Sequence, residues 1–374
     1  MLKNLYSESQ TKRSQADLNV VIDQHERFAA KRGGRRAQLA RSDLSGLRLA
    51  NRNLTEADFA GSSLVGASLF GANLERASFY CTDLQRCDLR HAKLQHADMR
   101  GVSLKGANLS FAKLDNADLR AAMMMFMSPD GVDIVDRSDP NRGGGDGTVD
   151  FSNCSLKRAS FGNAKLDGAN FSGALLQGAN FRGAKLKNVK FDGAILTGVD
   201  LRDLGVPPEL LTGCIMDASP AVLERFETLR SRLDAHQEWI VSGGKLGSHC
   251  VLDGEDIRTL QKLVIGRPLT GLSARNAIAV GLNFSGSQLQ GARFDGADLR
   301  DANFSSADLR GASFAGAKIS HANFDKADLR GLVLGSGQVR TVSFADAIGT
   351  EHQFAGALLD DGDIAQLGLL VQAA

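Results

Sequence analysis

Proline is scarce in this chain: 374 residues hold only 6. Aromatic residues are also few, at 6%, and nearly all of them are Phe, with 1 Trp and 2 Tyr. A conventional globular core draws on more Tyr, Trp, Val and Ile, so an ordinary compact domain is disfavoured. No apolar run reaches the roughly 18 residues of a bilayer span, and the opening MLKNLYSESQTKRSQADL has none at all, which argues against a secretory signal. Charge excess is missing too. The 44 Lys and Arg stand against 43 Asp and Glu, a net charge of +1 that favours neither nucleic acid nor a membrane surface as partner. The cysteines Cys81, Cys87, Cys154, Cys214 and Cys250 are odd in number and show no CxxC spacing, which reads as reduced thiols in a cytoplasmic protein. P-loop, G-x-S-x-G and H-E-x-x-H motifs are absent, so no catalytic residue, cofactor or metal is expected.

What is present is a period of five. From Leu44 to Leu119 every fifth residue is apolar, 16 in succession. A second block runs from Phe151 to Leu201 and a third from Phe284 to Phe344. Two residues before each centre a small residue recurs, most often Ala, and Gly is frequent two residues after it. Period five fits neither an amphipathic helix nor a simple strand. It fits a chain that turns a corner every five residues, the centre and the small residue both facing inward as alternate residues of a short strand do. Glycine suits the corner. In the second and third blocks the centres alternate Phe and Leu, as in Phe151, Leu156, Phe161 and Phe284, Leu289, Phe294.

Runs such as ANLERASF (72–79), ANFSGALLQGANF (169–181) and ADLRDANFSSADLRGASFAGA (297–317) resemble the pentapeptide-repeat family pattern A(D/N)LXX. The resemblance implies an all-β solenoid, a right-handed quadrilateral β-helix with four repeats per coil and coils about 4.8 Å apart. On four sides, Phe/Leu alternation stacks Phe151 on Phe171 on Phe191 and fills the axis. Function is then expected on outer faces, loops or ends.

Three segments break the period. Residues 121–148, AAMMMFMSPDGVDIVDRSDPNRGGGDGT, read as a long loop inserted into one tower. Residues 204–281 form the second break, and PAVLERFETLRSRLDAHQEWIVSGG within it has helical spacing. Residues 18–36 echo residues 229–247: each has Asp-x-His, an aromatic three residues on (Phe28, Trp239), then paired glycines. The expected organisation is an N-terminal segment with capping helix (1–40), a first solenoid (41–206), a linker with a second capping helix (207–248), a second solenoid (249–359) and a C-terminal capping segment (360–374) read as a short apolar helix. Caps are expected because an open solenoid end exposes unpaired strand edges.

Met123, Met124, Met125, Phe126 and Met127 form the candidate partner-binding loop, since flexible Met-rich surfaces suit adaptable binding. Asp130, Asp133, Asp136 and Asp139 match no calcium loop and read as solvated acids. Lys31, Arg32, Arg35, Arg36 and Arg41 are candidate anion ligands, without the interleaved aromatics that base stacking needs. His25 and His236 read as packing residues of the caps. Leu367, Leu369 and Leu370 mark a candidate cap or homodimer contact. The recurring ADLR units (117–120, 297–300, 307–310, 327–330) read as exposed wall pairs. These features favour a non-enzymatic protein-interaction scaffold. A second reading follows from the resemblance, some of whose members mimic B-DNA and modulate DNA gyrase; the net charge here departs from that pattern. A third is an anion or nucleotide sensor at the Arg-rich N-terminal region.

Overall fold

The computed structural model describes residues 11–128, 131–137, 148–202, 205–360 and 370–371. The chain divides into two compact units, Met1–Asp217 and Ala218–Ala374.

Both units are built from parallel rungs. The residue before each apolar centre bridges its counterpart one coil on: Gln38 to Asp58, Asp43 to Ser63, Arg48 to Ser68, Asn53 to Asn73. Four such bridges are passed before Asp58 takes up the side that Gln38 began, so each coil has four sides. The bonds are of ordinary length; Leu54 N donates to Asn73 O at 2.7 Å and Asp58 N to Ala37 O at 3.1 Å. Every side uses backbone N–H groups in this way, and among the described rungs proline, which has none, stands only at Pro268, beside Gln288.

The second residue after each centre turns the corner in the left-handed region, and that position is not reserved for glycine. Glu56, Arg76 and His91 sit there with φ of 64°, 56° and 58°. A side chain in this region costs about 1–2 kcal/mol, which the rung bonds on both sides offset. Glycine is required where corners touch: a Cβ on Gly71 would collide with Oδ1 of Asn51 on the coil before.

The centres fill the axis. Phe151, Phe171 and Phe191 stack at 5.1 and 5.5 Å between ring centres. The opposite side stacks Phe161 on Phe181 at 4.8 Å, and the two ladders meet edge to face, Phe161 lying 5.9 Å from Phe151 and 5.7 Å from Phe171. Both arrangements are favourable for aromatic quadrupoles. The second unit repeats the pattern in Phe284, Phe304, Phe324 and Phe354 against Phe294, Phe314 and Phe344. Where the small inward position is Thr or Cys, its donor is satisfied locally: Thr82 Oγ1 donates to Phe59 O at 2.8 Å and Cys87 Sγ to Leu64 O at 2.8 Å. Burial raises the Cys87 and Cys154 thiols well above their usual range and pushes Cys250 up to about 11, so these cysteines are inert core groups.

The interruptions differ from the sequence expectation. Residues 121–148 are not loop throughout: β3 (Ala122–Ser128) pairs antiparallel with β4 (Gly131–Arg137). Around this hairpin the rung offset more than doubles, so that Asn108 bridges Asp150, and the coil then resumes. In the second unit rungs begin at Val251, which bridges Ser273, inside what periodicity reads as a break. There Ala274 and Ala279 stand at the centres, and buried Leu272 and Leu282 supply bulk from the usual small position. Conversely Leu334 and Val339, two apparent centres, are 39% and 59% exposed. They belong to an inserted hairpin, β5 (Leu332–Val333) with β6 (Val339–Arg340), and the rung offset widens there too, Ser313 bridging Ser343. Of the C-terminal segment read as helical, Leu370–Val371 form strand β8, parallel to β7 (Ile348–Gly349). Leu367 and Leu369 lie outside the described residues.

Helix α1 (Gln15–Ala29) begins at Ser14, whose Oγ accepts from Asp17 N while the Asp17 carboxylate accepts from Ser14 N, a reciprocal cap. Its buried Leu18 and Ile22 join the same apolar cluster as Leu39 and Leu44. Beside it, β1 (Thr11–Lys12) pairs parallel with β2 (Ser42–Asp43). In the second unit α2 (Pro220–Glu224) leads into α3 (Phe226–Val241), whose Leu229 and Leu233 join the cluster of Leu252 and Ile257. Among the described residues no helix is long and apolar enough to cross a membrane.

Candidate functional site

With the axis filled by side chains, the surfaces open to another molecule are the outer wall, its insertions and its ends. The inserted hairpin carries the Met-rich run. Its register places Met123, Met125 and Met127 on one face with Val132, Ile134 and Asp136. Met124 and Phe126 lie on the other, with Asp133 and Val135. The five candidate residues therefore divide between two faces of a β-ribbon instead of sharing one loop surface. Asp130 and Asp139 lie outside the described residues.

Lys31, Arg32, Arg35, Arg36 and Arg41 are all exposed at the start of the first unit. Arg36 Nε donates to Glu56 O, which ties that side chain to the wall. Arg52, in the same basic stretch, is consumed elsewhere: its guanidinium holds Asp23 Oδ1 at 2.5 Å and Glu26 Oε1 at 2.8 Å, clasping α1 to the coil.

The clasp is duplicated. In the second unit Arg267 Nη2 meets Asp234 Oδ1 at 2.5 Å and its Nε meets Gln237 Oε1 at 3.2 Å. Asp23-x-His25-Glu26 and Asp234-x-His236-Gln237 are thus one device. His25 Nδ1 accepts from Ala37 N at 3.0 Å, and His236 Nδ1 from Cys250 N at 3.0 Å. Arg35 N and Ser248 N close the helix ends onto Gln24 O and Ala235 O at 3.2 and 3.1 Å. The structural partner of Gly34 is Gly247, not Gly243 or Gly244: a Cβ on either would strike the carbonyl of the residue before the His. Periodicity and spacing show the His pair but not the arginines, which stand more than a full coil along the chain from their acids.

Both imidazoles are fully buried, and neither Nε2 has a hydrogen bond of ordinary geometry. Because Nδ1 accepts an amide proton, each ring is neutral with its proton on Nε2. Burial, as the largest cause, lowers both pKa values below the ordinary imidazole range. Arg36 near His25, and His249 and Arg267 near His236, act in the same direction; Glu26 and Glu56 oppose it at His25. Below about pH 6.5 the unfolded imidazoles bind protons that the native ones refuse. Each unit is therefore expected to lose stability on acidification from pH 6.5, with a slope approaching about 1.4 kcal/mol per pH unit. Denaturant midpoints measured from pH 7.5 to 5 check this. His25→Asn with His236→Asn, which retain an acceptor, should flatten the slope; an unchanged slope would refute the assignment.

The ADLR units fold as expected in one respect: each Arg turns back on the Asp two residues before, as Arg310 Nη2 on Asp308 Oδ2 at 2.7 Å. They are not uniformly exposed. The Asp298–Arg300 pair has side chains only 11% and 5% exposed. Sequence reading also misses the edge at the end of the first unit. There the backbone N–H groups of Phe181, Gly183, Leu186 and Asn188 meet no overlying rung among the described residues. They face an open groove of about 1580 Å³ lined by Arg182, Lys185, Lys187, Asp200 and Glu209. Among the described residues no cluster of His, Cys, Asp and Glu has the size to hold a metal ion.

None of the curated proteins compared with the chain matches it in sequence. Among solved structures it is similar to a pentapeptide repeat protein from the thylakoid lumen of Arabidopsis thaliana, at 24% identity over 43% of this chain and 69% of that one, TM-score 0.22. It is similar to QnrB1, a plasmid-mediated fluoroquinolone resistance protein, at 23% identity over 50% and 90%, TM-score 0.19. HetL of Nostoc sp., involved in heterocyst differentiation regulation, shows 19% identity over 90% of each chain, TM-score 0.13. At such TM-scores these likenesses carry no functional inference. The family model for pentapeptide repeats matches residues 35–69, 53–90, 82–120, 149–173, 164–203, 269–305 and 297–331. These stretches together span more than half of the chain and coincide with its rungs, and the chain belongs to the pentapeptide-repeat family.

Proposed function

We propose that the chain is a non-enzymatic, cytoplasmic protein-interaction scaffold that presents its outer faces and the Met-rich hairpin to a protein partner. On this reading residues 1–40 and 207–248 are capping ends, 41–206 and 249–359 two right-handed β-helical towers, and 360–374 a closing segment. Leu367, Leu369 and Leu370 then offer a homodimer contact. The observation that supports the scaffold most is the hairpin: it is chain in excess of a normal coil, spliced in while Asp118 still bridges Ser160 above it. Such a segment is dispensable for stacking, which leaves Met123–Met127 available for recognition.

Excising residues 122–143 restores the normal rung offset. The excised protein is expected to keep its unfolding midpoint and to lose a partner that the intact chain captures from extracts of its native cell. Equal capture by both forms would remove the hairpin from the proposal. The topoisomerase reading draws on the inserted hairpin, and the net charge of +1 weighs against a DNA mimic. A gyrase supercoiling assay separates the two. A sensor built on Lys31, Arg32, Arg35, Arg36 and Arg41 ranks third, because exposed wall charge accounts for the same residues.

A further inference from the structure

We propose that the second unit carries a binding cleft for a phosphate-type oxyanion, formed by Arg293, Arg340 and Arg275 beside His249. This goes beyond the scaffold reading and does not depend on it. The cleft starts from a corner of the wall. Gly271, Gly291 and Gly311 occupy the same left-handed corner on three successive coils, with φ of 77°, 66° and 65°. Without side chains they leave a trough, and other groups enter it. Leu332 and the Arg340 carbonyl of the β5–β6 hairpin lie over Gly311. The Arg340 guanidinium continues down the trough to Gly291, where Nη1 is 3.7 Å from the place a Cβ would take. One rung further, His249 Nε2 stands 3.5 Å from the corresponding place on Gly271.

Alongside the trough, Ser273 and Arg293 bridge on neighbouring rungs, about 4.8 Å apart as strands are. Together with Val251 and Arg275 these residues line an open cleft of about 380 Å³, in which Arg275 and Arg293 are exposed. That volume takes a phosphoryl group with a small organic substituent.

The charges distinguish this place from the rest of the wall. Arginines elsewhere in the second unit face carboxylates: Arg225 and Arg232 face Glu255, Arg230 faces Glu227, Arg258 Asp256, and Arg267 Asp234. Arg300, Arg310 and Arg330 each face the Asp two residues before. Among the described arginines of this unit only Arg293 and Arg340 make no ion pair, and both line the one cleft. Arg275 is fixed there by Asp253, through Nε at 2.9 Å and Nη2 at 2.6 Å. A second carboxylate at hand, Asp295, accepts from Ser313 Oγ and acts on Arg275, and it pairs with neither Arg293 nor Arg340. Two guanidiniums with no ion-pair partner, lining one cleft with a third that is held in place, suit a tetrahedral dianion better than a single carboxylate, because guanidinium donors match its several oxygens.

Trp239, the single tryptophan, lies 5.5 Å from the His249 ring, edge to face, and reports on the cleft. The test titrates the full chain at low salt with inorganic phosphate and, separately, with phosphoserine, by calorimetry and Trp239 fluorescence. Saturable one-site binding is expected, with R293A and R340A each weaker by about tenfold and with unchanged unfolding midpoints. A tenfold or greater preference for phosphoserine assigns the source to a phosphorylated organic molecule; equal binding assigns free phosphate. Arg182→Ala, on the first unit, should bind as the parent does. The proposal is overturned if neither probe saturates at 10-millimolar order, or if both cleft variants bind as the parent does.

Discussion

Phe304→Ala is expected to destabilise the second unit by on the order of 3–5 kcal/mol, whereas Leu334→Ala should cost only about 1 kcal/mol. A count of every fifth residue treats the two positions alike. The structure separates them. Phe304 is fully buried, stacked on Phe284 at 5.1 Å and Phe324 at 5.2 Å, with edges to Phe294 and Phe314 at 5.6 Å. Removing its ring opens a hole bounded by four others, and rungs held by backbone bonds above and below leave little room for collapse. Leu334 sits at the bend of the β5–β6 hairpin, 39% exposed, and lies outside the apolar cluster of the second unit, so its truncation opens no hole in the ladders. Denaturant unfolding of the two variants, followed by far-UV circular dichroism, decides the matter. Similar losses for both would mean that Leu334 is a core centre and that the pairing of Ser313 with Ser343 is wrong.

The second large effect concerns a pair that looks ordinary in sequence. Asp298→Ala is expected to cost about 3–5 kcal/mol, because it strips the carboxylate from a guanidinium that is 5% exposed. Arg300 Nη2 meets Asp298 Oδ2 at 2.5 Å and its Nε meets Oδ1 at 2.8 Å, so two charge-assisted bonds go at once. Asp200 and Arg202 form the same i, i+2 fork with side chains 62% and 86% exposed, where water replaces the lost partner. Asp200→Ala should leave the unfolding midpoint where it was. The double variant D298A/R300M should recover most of the loss, since the buried guanidinium cut off from Asp298 is then gone. If D298A unfolds like D200A, burial of this pair has no energetic weight.

The contrast between these positions shows which parts of the fold are legible in the sequence. Strict repetition of Leu and Phe reports the coil because each side needs one large inward residue, and the Phe alternation reports the ladders because four sides make every fourth centre a neighbour. The period fails where bulk moves between positions, as from Ala274 to Leu272, since the interior constrains total volume and not which of two inward residues supplies it. It also fails at Leu334 and Val339, because the shorter insertion is a whole number of repeats and keeps the count of five in step. The longer insertion is not, so the centres fall out of phase between Leu119 and Phe151 and the break announces itself. Within that segment the hairpin is hard to read, because Met123–Met127 is a continuous apolar run and not an alternation. The Asp-x-His repeats are visible as words, but the clasp is not: Arg52 and Arg267 reach their acids only after the chain has gone round a coil. The oxyanion cleft is less legible still, since it is defined by which arginines lack a carboxylate, a property of three-dimensional neighbours.

One consequence follows from the way the insertions return to their rungs. A coil accepts the next coil through backbone bonds and one inward residue per side, and asks nothing of the path by which the chain arrives. Detours of quite different length have been admitted at three places among the described rungs, where the offset becomes 42, 22 and 30 residues, without disturbing the ladders beneath. New surface chemistry can therefore be grafted at these junctions, by natural selection or at the bench, without renegotiating the interior. The wall serves as a chassis on which appendages are exchanged.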